Sequence, residues 1–213
     1  MASSQNTGSP FRTIIFDLGK VIVDFDHMTF CTNLASFCPL PASVIYEHIF
    51  HAGLEKLFDS GKISPAQFFE AARTTLSLSI DMDHFSRLWS DIFTLQTGID
   101  SLLNTLHGTY RLLCLSNTNP WHFNWCREHF AVLNIFDDFI LSYEEKCCKP
   151  NGKIFIQALE KAHARPEQCI FIDDSADNVH AANQLNIRAF IFTSVDKLRQ
   201  DLSEAGIALT VPG

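Results

Sequence analysis

Four sets of polar residues fall where short apolar runs stop. Asp17 follows Thr13–Phe16, Ser116 follows the run 110–115, and Asp173 with Asp174 follows the run 169–172. Lys149 comes after the short run 139–141 and the loop behind it. Taken singly, each has an ordinary reading. A carboxylate at a strand end is a turn former or helix cap, Ser116-Asn117 suits a cap, and Asp173-Asp174 before Ser175 suits a solvated turn. Taken together they make chemical sense. Carboxylates gathered on one edge repel one another, and a hard divalent cation such as Mg²⁺, whose ligands are carboxylates, carbonyls and water, relieves that repulsion. A lysine and a hydroxyl supply donors for an anion. A cation, a lysine and a serine around one carboxylate form a phosphate site, in which the carboxylate attacks phosphorus once the substrate's charge is masked.

The elements that must carry these residues alternate. Thr13–Phe16 is a buried strand ending at Asp17, and Val21–Val23 continues the apolar pattern briefly. From about residue 28 to 93 the texture is helical. Apolar rows run through 42–58 (Ile45, Ile49, Leu57, with Phe50, Leu54 and Phe58), Pro65 opens a helix after Ser64, and 83–93 is amphipathic through Phe85, Leu88, Trp89 and Ile92. Strands then return between helices: strand 110–115, helix 121–130, strand 139–141, helix 153–162, strand 169–172, helix 176–185, strand 188–192 and helix 195–205. Alternating strands and helices imply βαβ units and a parallel sheet covered on both faces. The predicted fold class is therefore α/β, a doubly wound, Rossmann-like parallel sheet with an inserted α-helical cap. Its ligands belong at the carboxyl ends of the strands, where all four polar sets fall. The expected organisation is a disordered leader at 1–10, an α/β core at 11–25 and 96–213, and the helical cap at 26–95.

Composition narrows the function. The 213 residues are 46% apolar and 19% charged, as in a globular protein, and carry a net charge of −8. That charge argues against a duplex-binding protein, which needs a basic face. No apolar run reaches the roughly 18 to 20 residues of a membrane span. The first ten residues lack the apolar core of a signal peptide or anchor. Seven scattered cysteines without a secretory signal read as reduced thiols in a cytoplasmic protein. His48 and His51 lie three apart, a metal-compatible spacing, but the H-E-x-x-H pattern is absent and half-buried helix histidines are the plainer reading.

From about Phe11 to Ala205 the chain resembles the haloacid dehalogenase superfamily, in its phosphatase branch with a helical type-1 cap. The resemblance rests on Ile15-Phe16-Asp17-Leu18-Gly19, Leu115-Ser116-Asn117, Lys149-Pro150 and Phe171-Ile172-Asp173-Asp174-Ser175-Ala176-Asp177-Asn178, in that order. The runs Phe-Asp-Leu-Gly-x-Val-Ile-Val-Asp, Leu-Ser-Asn-Thr-Asn and Asp-Asp-x-x-Asp-Asn are similar to the bacterial α-D-glucose-1-phosphate phosphatase-like group. The resemblance implies Asp17 as the nucleophile that forms an aspartyl-phosphate. It implies Ser116 and the Asn117 backbone as holders of the phosphoryl group, with Lys149 on the same oxygens and paired with Asp17. Mg²⁺ would be bound by Asp17, the Gly19 backbone carbonyl, Asp174 and Asp173, the last directly or through water. The implied substrate is a small phosphorylated metabolite, a sugar phosphate such as a hexose 1-phosphate.

One position departs from the pattern. Most phosphatases of this superfamily place a second Asp two residues after the nucleophile to protonate the leaving group and then activate water. Here that position is Gly19. General acid–base help is typically worth about 10²- to 10⁴-fold in rate. Three readings follow: a phosphatase whose leaving group needs less help, as an anomeric phosphate does; a substitute acid or base, with Asp24, Asp26 and Lys20 as candidates in the loop after the nucleophile; or a catalytically weak protein that binds phosphorylated ligands. The dehalogenase pattern Asp-x-x-Gly-Thr fits less well, because Gly comes at the second position, Thr is absent and the Asp pair is kept. The insert is expected to close over the site as a lid, with His27, His48, His51, Glu47 or Glu55 as its contributions. Trp121, His122 and Trp125 are candidates for the pocket entrance, although four-residue spacing of the two tryptophans is also core spacing.

Overall fold

The computed structural model describes residues 9–209. The expected leader therefore lies outside the described residues but for Ser9 and Pro10. Five strands make the main sheet: β1 (Thr13–Phe16), β4 (Arg111–Ser116), β5 (Asp138–Leu141), β6 (Cys169–Asp173) and β7 (Arg188–Ile191), in the order β5-β4-β1-β6-β7. Every pairing in it is parallel. The chain leaves β1 for β4 and β5 on one side, then crosses to β6 and β7 on the other. The reversal falls beside β1, which puts a crevice at its carboxyl end.

The strands read as near-continuous apolar runs because both faces are buried, and their period of two divides them between two cores. Ile14, Phe16, Leu112, Cys114, Ile170 and Ile172 point to one side, packing with Ile99, Leu102, Leu106 and Leu202. Ile15, Leu113, Leu115 and Phe171 point to the other, packing with Ile154, Phe155, Ala158 and Ala182. The register holds Ile15 level with Leu113 and Phe171, so like faces stay together across the sheet. The doubly wound fold expected from the alternation is the one observed.

Between β1 and β4 a third core forms. Helices α1 (His27–Leu34), α2 (Ala42–Tyr46), α3 (Leu54–Asp59), α4 (Pro65–Leu76) and α5 (Met82–Ser90) gather Phe30, Leu34, Ile45, Ile49, Phe58, Phe68, Phe85 and Trp89. Phe30 and Phe68 each meet Phe85 edge-on, and Phe50 and Trp89 stack at 5.7 Å. Ser64 and Gln67 form a reciprocal capping box around Pro65, the start signal visible in the sequence. Two expectations need correction. The apolar rows over 42–58 are not one helix: a π-helical turn (Glu47–His51) precedes Gly53, whose φ of 82° breaks the helix before α3. The helix expected over 83–93 stops at Ser90, and Phe93–Leu95 is strand β3, paired antiparallel with β2 (Val23–Phe25). This two-stranded ribbon joins the helical layer to the sheet.

The remaining helices, α6 (Ile99–Leu106), α7 (Pro120–His129), α8 (Ser142–Glu145), α9 (Gly152–Ala162), α10 (Ala176–Gln184) and α11 (Val195–Glu204), complete the described chain. Helix α6 fills the gap before β4, where the sequence reading assigned no element. Among the described residues no single helix is long and apolar enough to cross a membrane. One bent pair, His27–Phe37 with Ala42–His51, passes by composition, and its apolar side chains are those of the third core.

Candidate active site

Parallel pairing carries the polar residues to one edge. Phe16 is level with Cys114 and Ile172, so Asp17 and Asp173 emerge level at the carboxyl ends of β1 and β6, with Ser116 one residue further along β4 beside them. Lys149 joins them from the loop before α9. Its Nζ lies 2.8 Å from Asp17 Oδ1 and 2.6 Å from Asp173 Oδ2, and donates to the Leu115 carbonyl at 3.0 Å. Three donors meet three acceptors, so a buried ammonium is fully satisfied. The Asn117 side chain fixes the lysine's backbone from both ends. Its Oδ1 accepts from Lys149 N at 2.8 Å and its Nδ2 donates to Lys149 O at 3.0 Å.

Asp173 is held on its other oxygen. Ser175 N and Asn178 Nδ2 both donate to Asp173 Oδ1 at 2.9 Å. Asp17 Oδ1 also accepts from Leu18 N at 2.7 Å. Asp174 is exposed beside them. One oxygen of each of Asp17, Asp173 and Asp174 lies within 4.8 Å of the others, which makes them the one such metal-compatible group found among the described residues. Three carboxylates against one ammonium leave an excess of negative charge, and the all-oxygen donor set fits a hard divalent cation. The electrostatics agree. Burial pushes the Asp17 carboxyl up to about 7, with the charge of Asp173 adding and Lys149 opposing. Burial would lower the Lys149 pKa, but Asp17 and Asp173 outweigh it and hold the ammonium above its ordinary value. Asp174 is raised by burial and then by Asp173.

Beside this cluster lies a cavity of about 120 Å³, lined on the sheet side by Leu18, Gly19, Ser116, Asn117 and Thr118. Glu55 and Asp59 of α3, with His27 of α1 and His122 of α7, line it from the helical layer. Of the five polar residues expected from the insert, His27 and Glu55 reach the cavity. His51 pairs with Glu47 at 2.8 Å on the exterior, and His48 is exposed, so no shared metal site forms there. The three candidates for a substitute acid or base do not line the cavity. Asp26 caps α1 by accepting from Met28 N, and Asp24 accepts from Lys20 Nζ and Phe25 N. Lys20 also donates to the Phe25 carbonyl. The helix-cap reading therefore describes Asp26. Trp121 packs on Phe58 and Phe68 in the helical core, and Trp125 stacks on His129 at 3.8 Å.

Asp59 was not singled out in the sequence. Its signal is the four-residue step from Glu55, which puts the two on one helix face. Asn119, fully buried at the start of α7, donates Nδ2 to Asp59 Oδ1 at 2.9 Å and accepts from Trp89 Nε1 at 3.3 Å. The same amide lies 3.1 Å from His122 Nδ1, while His122 Nε2 meets the Trp89 carbonyl at 3.0 Å. These contacts suit a neutral imidazole protonated on Nε2. Burial depresses His122 to about 3 and His27 to about 4, so both are neutral at physiological pH. Burial raises Glu55 to about 8, with Asp59 adding, and raises Asp59 to about 7 against the Asn119 hydrogen bond.

A family model described as haloacid dehalogenase-like hydrolase matches residues 11–186. D-ribitol-5-phosphate phosphatase of Bacteroides thetaiotaomicron is 26% identical over 200 residues, covering 90% of this chain and 97% of the relative. A solved haloacid dehalogenase family enzyme of the same organism, in complex with magnesium and inorganic phosphate, superposes with a TM-score of 0.77 at 27% identity, covering 87% of this chain and 96% of that one. L-2-haloacid dehalogenase of Xanthobacter autotrophicus shares the fold, with a TM-score of 0.63 at 16% identity over 93% of this chain and 84% of that one.

Proposed function

This chain belongs to the haloacid dehalogenase-like hydrolases, and from that membership we propose that it is a Mg²⁺-dependent phosphatase of small sugar or polyol phosphates. The observation that carries the reading is the buried Lys149 shared between Asp17 and Asp173, with Asp174 beside them. The dehalogenase reading is disfavoured by the same acidic excess, which a metal-free site would have no reason to gather. The ribitol phosphatase relative supports the substrate class.

In this reading Asp17 attacks phosphorus, and the bond to the leaving oxygen breaks as the aspartyl-phosphate forms. Ser116 Oγ and backbone N–H groups at Asn117 orient the phosphoryl oxygens. Lys149 favours the ionised form of Asp17 and holds it in place. Water then displaces the phosphoryl group from Asp17. Asp17, Asp174 and the Gly19 carbonyl, with Asp173 directly or through water, would hold Mg²⁺, which would neutralise charge on the phosphoryl group. The helices over 26–95 act as a lid, a role supported by their separate core and by the Glu55, Asp59 and His27 side chains they bring to the cavity. The seven unpaired cysteines support a reducing, cytoplasmic location.

A second reading has one observation in its favour. Position 19 carries no acid, which suits a protein that binds phosphorylated ligands with little turnover. One experiment separates the two. Phosphate release from ribitol 5-phosphate, glucose 1-phosphate and p-nitrophenyl phosphate is measured with Mg²⁺, with chelator, and in Asp17→Asn. The phosphatase reading expects release with Mg²⁺ alone and none in the variant. Binding of the sugar phosphates by calorimetry without release establishes the second reading, and release that survives Asp17→Asn overturns Asp17 as nucleophile.

A further inference from the structure

Expelling an alcohol from a phosphate ester needs a proton at the leaving oxygen, and Gly19 cannot carry one. The space for a side chain there is also taken. A Cβ at Gly19 would lie 2.9 Å from Phe25 Cε1, in a ring that packs on His27 at 4.8 Å. The same cavity instead holds two carboxyl groups four residues apart on α3. We propose that Glu55, positioned by Asp59, is the general acid and base of this site; the assignment rests on the phosphatase reading above.

The division of labour follows from the contacts. Asp59 is committed: its carboxylate accepts from the buried Asn119 amide, and its carbonyl accepts from Ser142 Oγ at 2.5 Å. Glu55 is tethered more loosely, with Oε1 3.4 Å from His27 Nε2, and its side chain, which lines the cavity, is 17% exposed. It is therefore the carboxyl free to meet a substrate oxygen. The groups facing it are His27 from α1, Asp59 and Lys56 from its own helix, and His122 across the cavity. Both histidines are neutral, so Asp59 is the dominant charge beside it. Burial, and after it the Asp59 carboxylate one helical turn away, favours the protonated form of Glu55. The pair thus keeps a donor near neutral pH, where an isolated glutamate would be ionised.

The step balances. As the bond from phosphorus to the leaving oxygen breaks, the Glu55 proton passes to that oxygen and the product leaves as a neutral alcohol. Glu55 is left as a carboxylate. It then takes a proton from the water whose oxygen bonds to phosphorus as the Asp17–phosphorus bond breaks. Protonated Glu55, the Asp17 carboxylate and free phosphate result.

The test compares leaving groups in the full-length, Mg²⁺-loaded protein. kcat/KM reads the steps up to departure of the alcohol. Ribitol 5-phosphate expels a primary alcohol that needs the proton, and p-nitrophenyl phosphate expels a stable phenolate that does not. Glu55→Gln, which keeps the size of the side chain, is expected to lower kcat/KM for ribitol 5-phosphate by about 10²-fold or more. The loss on p-nitrophenyl phosphate is expected to be at least about tenfold smaller, with a burst of p-nitrophenolate because the base for the second step is gone. Asp59→Asn supplies a measurement independent of the Glu55 variant. Removing the like charge lowers the Glu55 pKa, so the alkaline fall of kcat/KM for ribitol 5-phosphate moves to lower pH. Equal losses on both substrates, or an alkaline limb unmoved in Asp59→Asn, overturn the assignment and leave the phosphatase reading standing. No phosphate release from either substrate by the unaltered protein overturns that reading, and this assignment with it.

Discussion

Lys149 and Asp173 form a buried ion pair, with Nζ 2.6 Å from Oδ2 and the two side chains 1% and 0% exposed. It links the loop before α9 to the end of β6, and the same ammonium reaches Asp17 at the end of β1. The pair is therefore structural as well as chemical. An ammonium stripped of water is stable here because three acceptors surround it, and the carboxylates are stable because the ammonium is there.

Replacing Lys149 exposes that dependence. Lys149→Met leaves two carboxylates buried with no cation. The expected cost is about 3–5 kcal/mol of stability in metal-free protein, together with loss of phosphate release. Urea denaturation checks the first and a phosphate assay the second. A stability loss under about 1 kcal/mol would mean that the carboxylates find other neutralisation.

Metal should act on the same cluster. A ligand that binds only the folded chain stabilises it by about 2.7 kcal/mol at a hundredfold excess over its dissociation constant. Mg²⁺ at pH 8 is thus expected to raise the thermal midpoint, and Asp174→Asn to remove most of the increase. The sign with pH is definite. Asp17 has its folded pKa raised to about 7, so it takes up a proton as pH falls through that value and ceases to be a good ligand. The Mg²⁺-induced increase should shrink between pH 8 and pH 6, as scanning calorimetry will show.

Acid stability offers a separate check on the helical layer. His122 is held at about 3, below its ordinary value of 6.5, because burial strips it of water and outweighs the opposing hydrogen bond to the Trp89 carbonyl. Below pH 6.5 the unfolded chain takes up a proton there and the folded chain does not, so stability is lost as pH falls. The slope is about 1.4 kcal/mol per pH unit. His27, at about 4, adds to the loss, whereas Asp17, Glu55 and Asp59, raised by burial, bind protons in the folded state and oppose it. His122→Gln isolates one contribution. The stability gap between wild type and variant should change by about 2 kcal/mol in favour of the variant between pH 7.5 and pH 5. A gap independent of pH would mean that His122 titrates in the fold as it does in the unfolded chain.

Position 19 gives a steric test. Gly19→Asp alone must displace the Phe25 ring, and with it the packing on His27 and Phe93. The expected result is a protein about 1–3 kcal/mol less stable, with no gain in turnover. Gly19→Asp combined with Phe25→Ala opens the space, and its hydrolysis of ribitol 5-phosphate should exceed that of Phe25→Ala alone. Equal rates in the two would mean that a carboxylate at 19 cannot reach the leaving oxygen.

Much of this molecule is legible in the chain because the signals are local. Ile14-Ile15-Phe16, Leu112–Leu115 and Cys169–Ile172 announce strands buried on both faces, and each ends on a polar residue. Parallel pairing of such strands leaves those ends on one edge, so Asp17, Ser116 and Asp173 meet whatever the details of packing. Tertiary structure decided the rest. Asp24, Asp26 and Lys20 stand near Asp17 in sequence, yet local hydrogen bonds turn them to other uses. Glu55 and Asp59 stand far from it in sequence, yet reach its cavity because the Phe30, Phe68 and Trp89 core fixes α3 over the sheet edge. The Phe25 ring fills the space beside Gly19 only because β2 pairs with a strand seventy residues on. Periodicity reports which face of an element is buried. What lies opposite that face depends on contacts between distant segments, and no local pattern carries them.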